Sequence, residues 1–411
     1  MPVAGKIGSQ RHLLAVRRGM LLSMPLIIIG SLFLIIGNLP FNGWTDWLHA
    51  SGQLDVWLGK IVNGSFGLMG LVAAFGIAYN LADSYETDGA AAGVLALSSY
   101  LILTPYTFDL DKNPTISYSY MSSSGLFVAI LVGLITADIF RRFLQKNIVI
   151  KMPEGVPPEV SRSFAALLPG LVIITFWGIL QKVFEVSSLN DIFNVITTTL
   201  GVPLGFLGGT LPGTIFAVGL TSLFWFAGIS GGDIVGSIMN PIWLQNAGDN
   251  LTAFQSHEAL PHIITYSFVY NFIFIGGGGA TLAFVALLMF RGKSNQSKMI
   301  GRLAFAPGIF NINEPVLFGL PIVLNPVMII PFVLVPMVNA TVTYFAMATG
   351  LVAKTAGVVV PWTTPPIISG YLATGGHISG SILQVVMLIV SAVLYYPFFK
   401  AMDLQNLKAE K

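Results

Sequence analysis

The chain has 411 residues, 54% of them hydrophobic and only 9% charged, with a mean hydropathy of +0.78. A soluble chain carries about a quarter charged residues, so this one has too few to cover a water-facing surface, and several apolar runs reach the ~20 residues that cross a ~30 Å hydrocarbon layer. A formal charge of +2 without any basic tract gives no footprint for nucleic acid, and zero cysteines exclude disulfides, thiolate metal sites and a cysteine nucleophile on this chain.

The composition is that of an all-α polytopic membrane protein. Its 23 prolines and 44 glycines fit that class, in which broken helices and close helix packing are tolerated where protein or water satisfies the backbone. Arg11, Arg17 and Arg18 precede the first apolar run, Met20–Asn38. No small-residue cleavage site follows it, so the sequence predicts a retained first span and no signal peptide. Further spans are expected at Ile61–Ala82, Gly89–Leu103, Gly125–Phe143, Phe164–Lys182, Thr210–Gly228, Ile263–Phe290, Leu324–Val352 and Ile378–Phe399. The positive-inside rule puts the N-terminus in the cytoplasm, together with Arg141, Arg142, Lys146, Lys151 and Arg162. It also puts Arg291, Lys293, Lys298, Arg302, Lys400 and Lys408 inside. Nine crossings leave the C-terminus outside, so a tenth is expected in a weakly hydrophobic piece such as Ile229–Pro261. The prediction is about ten spans plus re-entrant hairpins in the second half, with both termini cytoplasmic. Residues 1–185 form an N-terminal helical half and 186–411 a C-terminal half with the broken segments.

Three stretches are too polar or too interrupted for ordinary spans: "GISGGDIVGSIMNPIWLQNAGDN" (228–250), "PGIFNINEPVLFGLPIVLNP" (307–326) and "VVVPWTTPPIISGYLATGG" (358–376). Interrupted segments of this kind are the best sequence-level pointer to a transporter's binding site. From Leu303 to Ala353, Glu314 is the single formally charged side chain. An ionised carboxylate facing lipid costs several kcal/mol, so intramembrane acids face cavities, partners or ligands. Asn311 and Asn313 beside it donate and accept, a combination suited to a ligand covered in hydroxyls. Trp225 and Trp362 adjoin glycine- or proline-broken backbone and offer faces to sugar rings. Trp243 reads equally well as an interfacial-belt residue. "SHEALPH" (256–262) fails the H-E-x-x-H zinc pattern, because Pro261 stands four residues after His257 and His262 stands five after it. "GGGG" (276–279) lacks the lysine and hydroxyl residue of a phosphate loop and reads as a site of close helix contact. Nothing in the sequence calls for a cofactor or a metal.

Several of these stretches carry a resemblance. "RHLLAVRRGM…MPLIIIGSLFLII", "IKMPEGVPPEVSRSFAALLPG", "FWFAGISG", "GGGGATLAF", "PGIFNINEPVLFGLPIVLNP" and "VPWTTPPIISGYLATGG" run along nearly the whole chain. It resembles the membrane subunit, enzyme IIC, of the lactose, cellobiose and chitobiose family of the bacterial sugar phosphotransferase system. The resemblance implies a homodimer in the bacterial cytoplasmic membrane, with the first half forming the dimer interface and the second holding one disaccharide. Its partner would be a phosphorylated cytoplasmic enzyme IIB, whose phosphocysteine phosphorylates the sugar's 6-hydroxyl during import. This chain would thus be the membrane component of a transferase complex.

Carried over singly, Glu314 of the N-E-P motif orients the accepting hydroxyl, and Trp362 and Trp225 stack on the sugar. Asn313, Ser230, Gly231, Asn240 and Thr363 complete the candidate substrate-binding set. One position departs: the family commonly has a histidine where this chain has Ser230, which hydrogen-bonds a hydroxyl but does not act as a base near neutral pH. The alternatives on residues alone are an ion-coupled secondary sugar transporter with Glu314 as the ion site, a membrane-embedded enzyme, or a sugar-binding sensor.

Overall fold

The structure, a computed structural model, describes residues 10–37, 43–109, 111–153, 155–187, 192–228, 230–320, 322, 325 and 327–410. In chain order the helices are α1 (Arg11–Gly37), α2 (Trp44–Ala50), α3 (Leu54–Asn63), α4 (Met69–Asp83) and α5 (Gly89–Leu103). A small antiparallel ribbon, β1 (Thr107–Phe108) with β2 (Pro114–Thr115), follows. Then come α6 (Tyr118–Met121), α7 (Leu126–Gln145), α8 (Pro158–Val186), α9 (Ile192–Ile196), α10 (Val202–Gly209), α11 (Leu211–Phe226) and α12 (Gly231–Gln255). The last are α13 (Leu282–Arg291), α14 (Asn295–Ile309), α15 (Glu314–Gly319), α16 (Ile329–Ala348), α17 (Ile368–Ala373) and α18 (Ile378–Ala409). Among the described residues, six helices or helix pairs are long and apolar enough to cross a membrane, or up to seven if the bent pair at 192–209 is one span. Three shorter apolar helices, α5, α11 and α13, add to these.

By contacts the chain divides into two compact units. One contains the described residues of Lys6–Gly30 and Gly59–Leu204, the other those of Ser31–Leu58 and Gly205–Lys411. The boundary thus falls at 204/205 where the sequence reading divides at 185/186, and residues 31–58 join the later unit.

In the first unit α4 packs on α5 and α7, and α8 packs on α5 and α7. Between apolar helices in lipid the gain comes from close van der Waals fit, which small residues permit. Gly19 of α1 sits against the Ile77 backbone, and a Cβ on Gly76 would lie 2.7 Å from the Gly19 carbonyl oxygen. Trp177 Nε1 donates to Thr136 Oγ1 at 2.9 Å, tying α8 to α7 within this packing. At one end of the unit Asp138 accepts from Arg141 Nε at 2.6 Å and lies 3.0 Å from His12 Nε2. The Arg11 and Arg141 guanidinium groups lie over the Tyr85 ring, 4.5 and 3.9 Å from its centroid. These arginines, read from sequence as topology signals, are also cross-links.

In the second unit α11 packs on α12 and α16, and α13 on α14 and α18. Phe284, Leu288, Ile300, Phe332, Tyr395 and Phe399 form its apolar core. The start of α14 is capped from α18. Asp403 accepts from the backbone N–H of Lys293 (2.9 Å) and Ser294 (3.0 Å), and Glu410 from those of Asn295 and Gln296 (both 3.0 Å). Helix N-termini leave such donors unpaired, and carboxylates suit the positive end of the dipole.

Two expectations change here. The stretch 228–250, expected to be too interrupted for an ordinary span, lies mostly within one helix, Gly231–Gln255, of 25 residues with Pro241 inside it, in the piece 229–261 where a tenth crossing is also expected. Its polar side chains are not gaps in the helix: buried Asn246 and Asn250 reach out to neighbouring backbone. Conversely, the single span expected at Ile263–Phe290 is interrupted. Only a π-helical turn at Phe268–Ile273 precedes α13, because Gly276, Gly277, Gly279 and Ala280 all have positive φ. That backbone region is open to glycine and closed to a continuing α-helix.

The glycine contacts give a direct stability test. Gly76→Val is expected to destabilise by about 1–3 kcal/mol through overpacking. Gly59→Ala in α3, where nothing lies within 4 Å of an added Cβ, should stabilise slightly because glycine is a poor helix former. Thermal unfolding in detergent checks both, and an unchanged midpoint for Gly76→Val would contradict the close crossing.

Candidate functional site

A helix broken inside an apolar region exposes peptide groups that water cannot reach, and these need partners from the protein. In the second unit the partners are side-chain amides. Asn250 donates to the carbonyls of His262 and Thr355, both at 2.8 Å, and accepts from His262 N–H. Asn246 donates to Ile264 O at 2.8 Å and Asn339 to Ile273 O at 3.1 Å. Gln384, fully buried in α18, accepts from Ile367 N–H (2.5 Å) and Gly370 N–H (2.8 Å) and donates to Asn271 O (2.6 Å). The two discontinuous segments, 262–281 and 355–370, are therefore fastened residue by residue.

The Glu314 loop belongs to this scheme. Asn311, buried and in the left-handed region at φ 62°, accepts from Gly276 N–H at 2.6 Å. Its Nδ2 donates to Trp362 O at 2.5 Å and Thr364 O at 3.2 Å. Asn313 Nδ2 donates to Gly278 O at 2.6 Å. An N-cap side chain usually satisfies its own helix. Asn313 precedes α15 but its side-chain oxygen makes no capping bond; its Nδ2 reaches instead across to the glycine loop. A Cβ on Gly278 would lie 2.8 Å from the Trp225 ring. The Tyr395 hydroxyl donates to Gly279 O at 2.7 Å, and Phe332 packs its ring on Gly279. The glycine run does make close contact, as expected, but as a left-handed loop against side chains and not as a helix face.

Three stretches distant in sequence thus meet: the glycine loop at 276–279, the loop Asn311–Glu314 and the loop 361–365. Glu314 opens α15 with its side chain accessible, and Trp362 is 45% exposed while its carbonyl is pinned. Trp225 is half-buried against the glycine loop and the apolar core. Ser230 precedes α12 and its side chain makes no capping bond. Gly232, two residues on, comes within 3.9 Å of Trp225 Nε1 once given a Cβ. Gly231 is buried against the Thr221 carbonyl, a close approach that forbids any side chain. Thr363 lies between the two carbonyls that Asn311 holds.

Asn240 lies further along α12, where its Oδ1 accepts from Tyr270 OH at 3.1 Å, and no described contact joins it to the Glu314 loop. Trp243 is 2% exposed and donates to Gly208 O at 3.1 Å, a core role in place of an interfacial one. His262 Nε2 lies 2.9 Å from Asp249 Oδ2. Asn311 is the residue that sequence reasoning left out of the site set. Its signal was its type: asparagine tolerates the left-handed region and can both donate and accept.

Gly278→Val should push the Trp225 indole aside. Tryptophan emission of that variant, compared with Trp225→Phe, should change in the component that Trp225 contributes, and identical spectra for Gly278→Val and wild type would contradict the contact.

The chain is similar to known proteins over its whole length. The family model "Phosphotransferase system, EIIC" matches residues 17–336. A lichenan permease IIC component of Bacillus subtilis is 47% identical, covering all of this chain and 93% of that protein. A cellobiose-specific EIIC component of Geobacillus stearothermophilus is 48% identical, covering all of this chain and 94% of its own. The crystal structure of the transporter ChbC, the IIC component from the N,N'-diacetylchitobiose-specific phosphotransferase system, matches with a TM-score of 0.95 and 46% identity, covering 100% of this chain and 98% of that one. The apolar helices, the interrupted segments and these similarities agree, and the chain belongs to the phosphotransferase system EIIC family of integral membrane permeases.

Proposed function

We propose that this chain is a disaccharide permease of the cellobiose and chitobiose class, working with a phosphorylated cytoplasmic IIB protein. The observation that carries the reading is the convergence of an accessible carboxylate, Glu314, with Trp362 on a loop fastened by the Asn311 amide and with the glycine loop against which Trp225, at the end of α11, packs its ring. Relatives named for cellobiose and chitobiose, at 46–48% identity, support the substrate class. Sugar rings present apolar faces and a rim of hydroxyls. The indoles take the faces, and Glu314, the Asn313 Oδ1 and the Ser230 hydroxyl take the rim. In this reading ten crossings put both termini in the cytoplasm, and the first half of the chain holds two copies together. Sugar bound from outside is then carried inward by the second half, and its 6-hydroxyl meets phosphocysteine on IIB. Phosphoryl transfer depends on positioning and charge stabilisation more than on covalent help from the protein. Glu314 orients the attacking hydroxyl and accepts its proton. Trapping the product as a phosphate ester removes any need for an ion gradient.

The test is uptake of labelled cellobiose and chitobiose into vesicles loaded with cognate phospho-IIB. Uptake should require phospho-IIB and yield the sugar 6-phosphate. Glu314→Gln should weaken sugar binding by about tenfold or more, the scale of a lost charge-assisted hydrogen bond. Uptake driven by a proton gradient, with free sugar inside, would overturn the reading.

A further inference from the structure

Asn311 is the point at which the three site loops share one side chain. Each polar atom of its amide is already engaged with backbone, so none of them is left over for a ligand. The Oδ1 bond fixes where the glycine loop, and with it the Trp225 wall, begins. The two Nδ2 bonds fix the carbonyls on either side of Thr363, and so the direction in which Trp362 projects. Its own N–H donates to Gly308 O at 3.0 Å, which anchors the turn that leads to Glu314. Left-handed backbone at this position leaves glycine as the substitution that keeps φ without strain.

We infer that Asn311 is a positioning residue for the sugar site, which sets the spacing of Glu314, Trp362 and Trp225 without touching the sugar. The inference rests on the site reading above. It has a specific chemical consequence. The amide must present a donor to the Trp362 and Thr364 carbonyls and an acceptor to Gly276 N–H. A carboxylate of the same shape keeps the acceptor, but it faces two carbonyls with negative charge. A protonated carboxyl keeps the acceptor and restores one donor. An aspartate at this position is therefore competent in its neutral form and defective in its charged form, and burial favours the neutral form.

The experiment measures disaccharide affinity by calorimetry on purified wild type, Asn311→Asp, Asn311→Gly and Glu314→Gln, from about pH 9 down to about pH 5. Each curve is read against wild type at the same pH. Asn311→Asp and Asn311→Gly should both bind about tenfold or more weakly at the alkaline end of the range. As pH falls, Asn311→Asp should recover towards wild type and Asn311→Gly should not. Wild-type affinity in both Asn311 variants, with Glu314→Gln impaired, overturns the positioning role and leaves the site reading intact. The same holds if Asn311→Asp stays as weak as Asn311→Gly at every pH. Wild-type affinity in Glu314→Gln overturns the site reading itself.

Discussion

The second unit depends on one constraint: peptide groups released by breaking a helix in an apolar interior must be paired by the protein. An unpaired buried peptide group costs about 1–3 kcal/mol, and two discontinuous segments expose many of them. Six side-chain amides, Asn246, Asn250, Asn311, Asn313, Asn339 and Gln384, pair peptide groups in and around residues 262–281 and 355–370, alongside backbone and hydroxyl partners. An amide is suited to this because it offers donors and an acceptor without carrying charge. Ile367 measures the strength of the fastening. A β-branched residue rarely takes positive φ, yet here φ is 77°, with its N–H held by Gln384 and its carbonyl by Ser381.

That rigid framework makes a charged ligand group possible at Glu314. A lone carboxylate on a mobile loop would swing towards water or find a counter-ion. Here Glu314 follows closely on Asn311 and Asn313, whose amides are bonded to the glycine loop and the loop 361–365, and it opens α15. Family membership makes the chain an integral membrane permease, and the amide framework holds together the loops in which the sugar site is proposed.

Much of this was legible in the sequence, for identifiable reasons. Glu314 stood out because charge is rare in so apolar a chain, and Trp225 and Trp362 because they adjoin broken backbone. The helices of the first unit, α1, α4, α7 and α8, follow from hydropathy alone. The continuity of α12 was not legible. Its asparagines and glycines look like interruptions, and only tertiary structure reveals that Asn246 and Asn250 point outward to serve other segments. The break before α13 was hidden in the opposite sense, since an apolar run reads as a span whatever its dihedrals. Asn311 stands out beside Glu314 as a donor and acceptor, but its bonds between loops were not legible, because its partners lie 35, 51 and 53 residues away. Pairings of that kind leave no periodicity to read.

The central claim is that the loops at 276–279, 311–314 and 361–365 enclose one disaccharide. An experimental structure of this protein with cellobiose bound tests it most directly. The account predicts sugar density between the Glu314 carboxylate and the Trp362 indole, with a ring hydroxyl within hydrogen-bond distance of Glu314. Well-defined sugar density elsewhere, with both side chains free of it, would contradict the account.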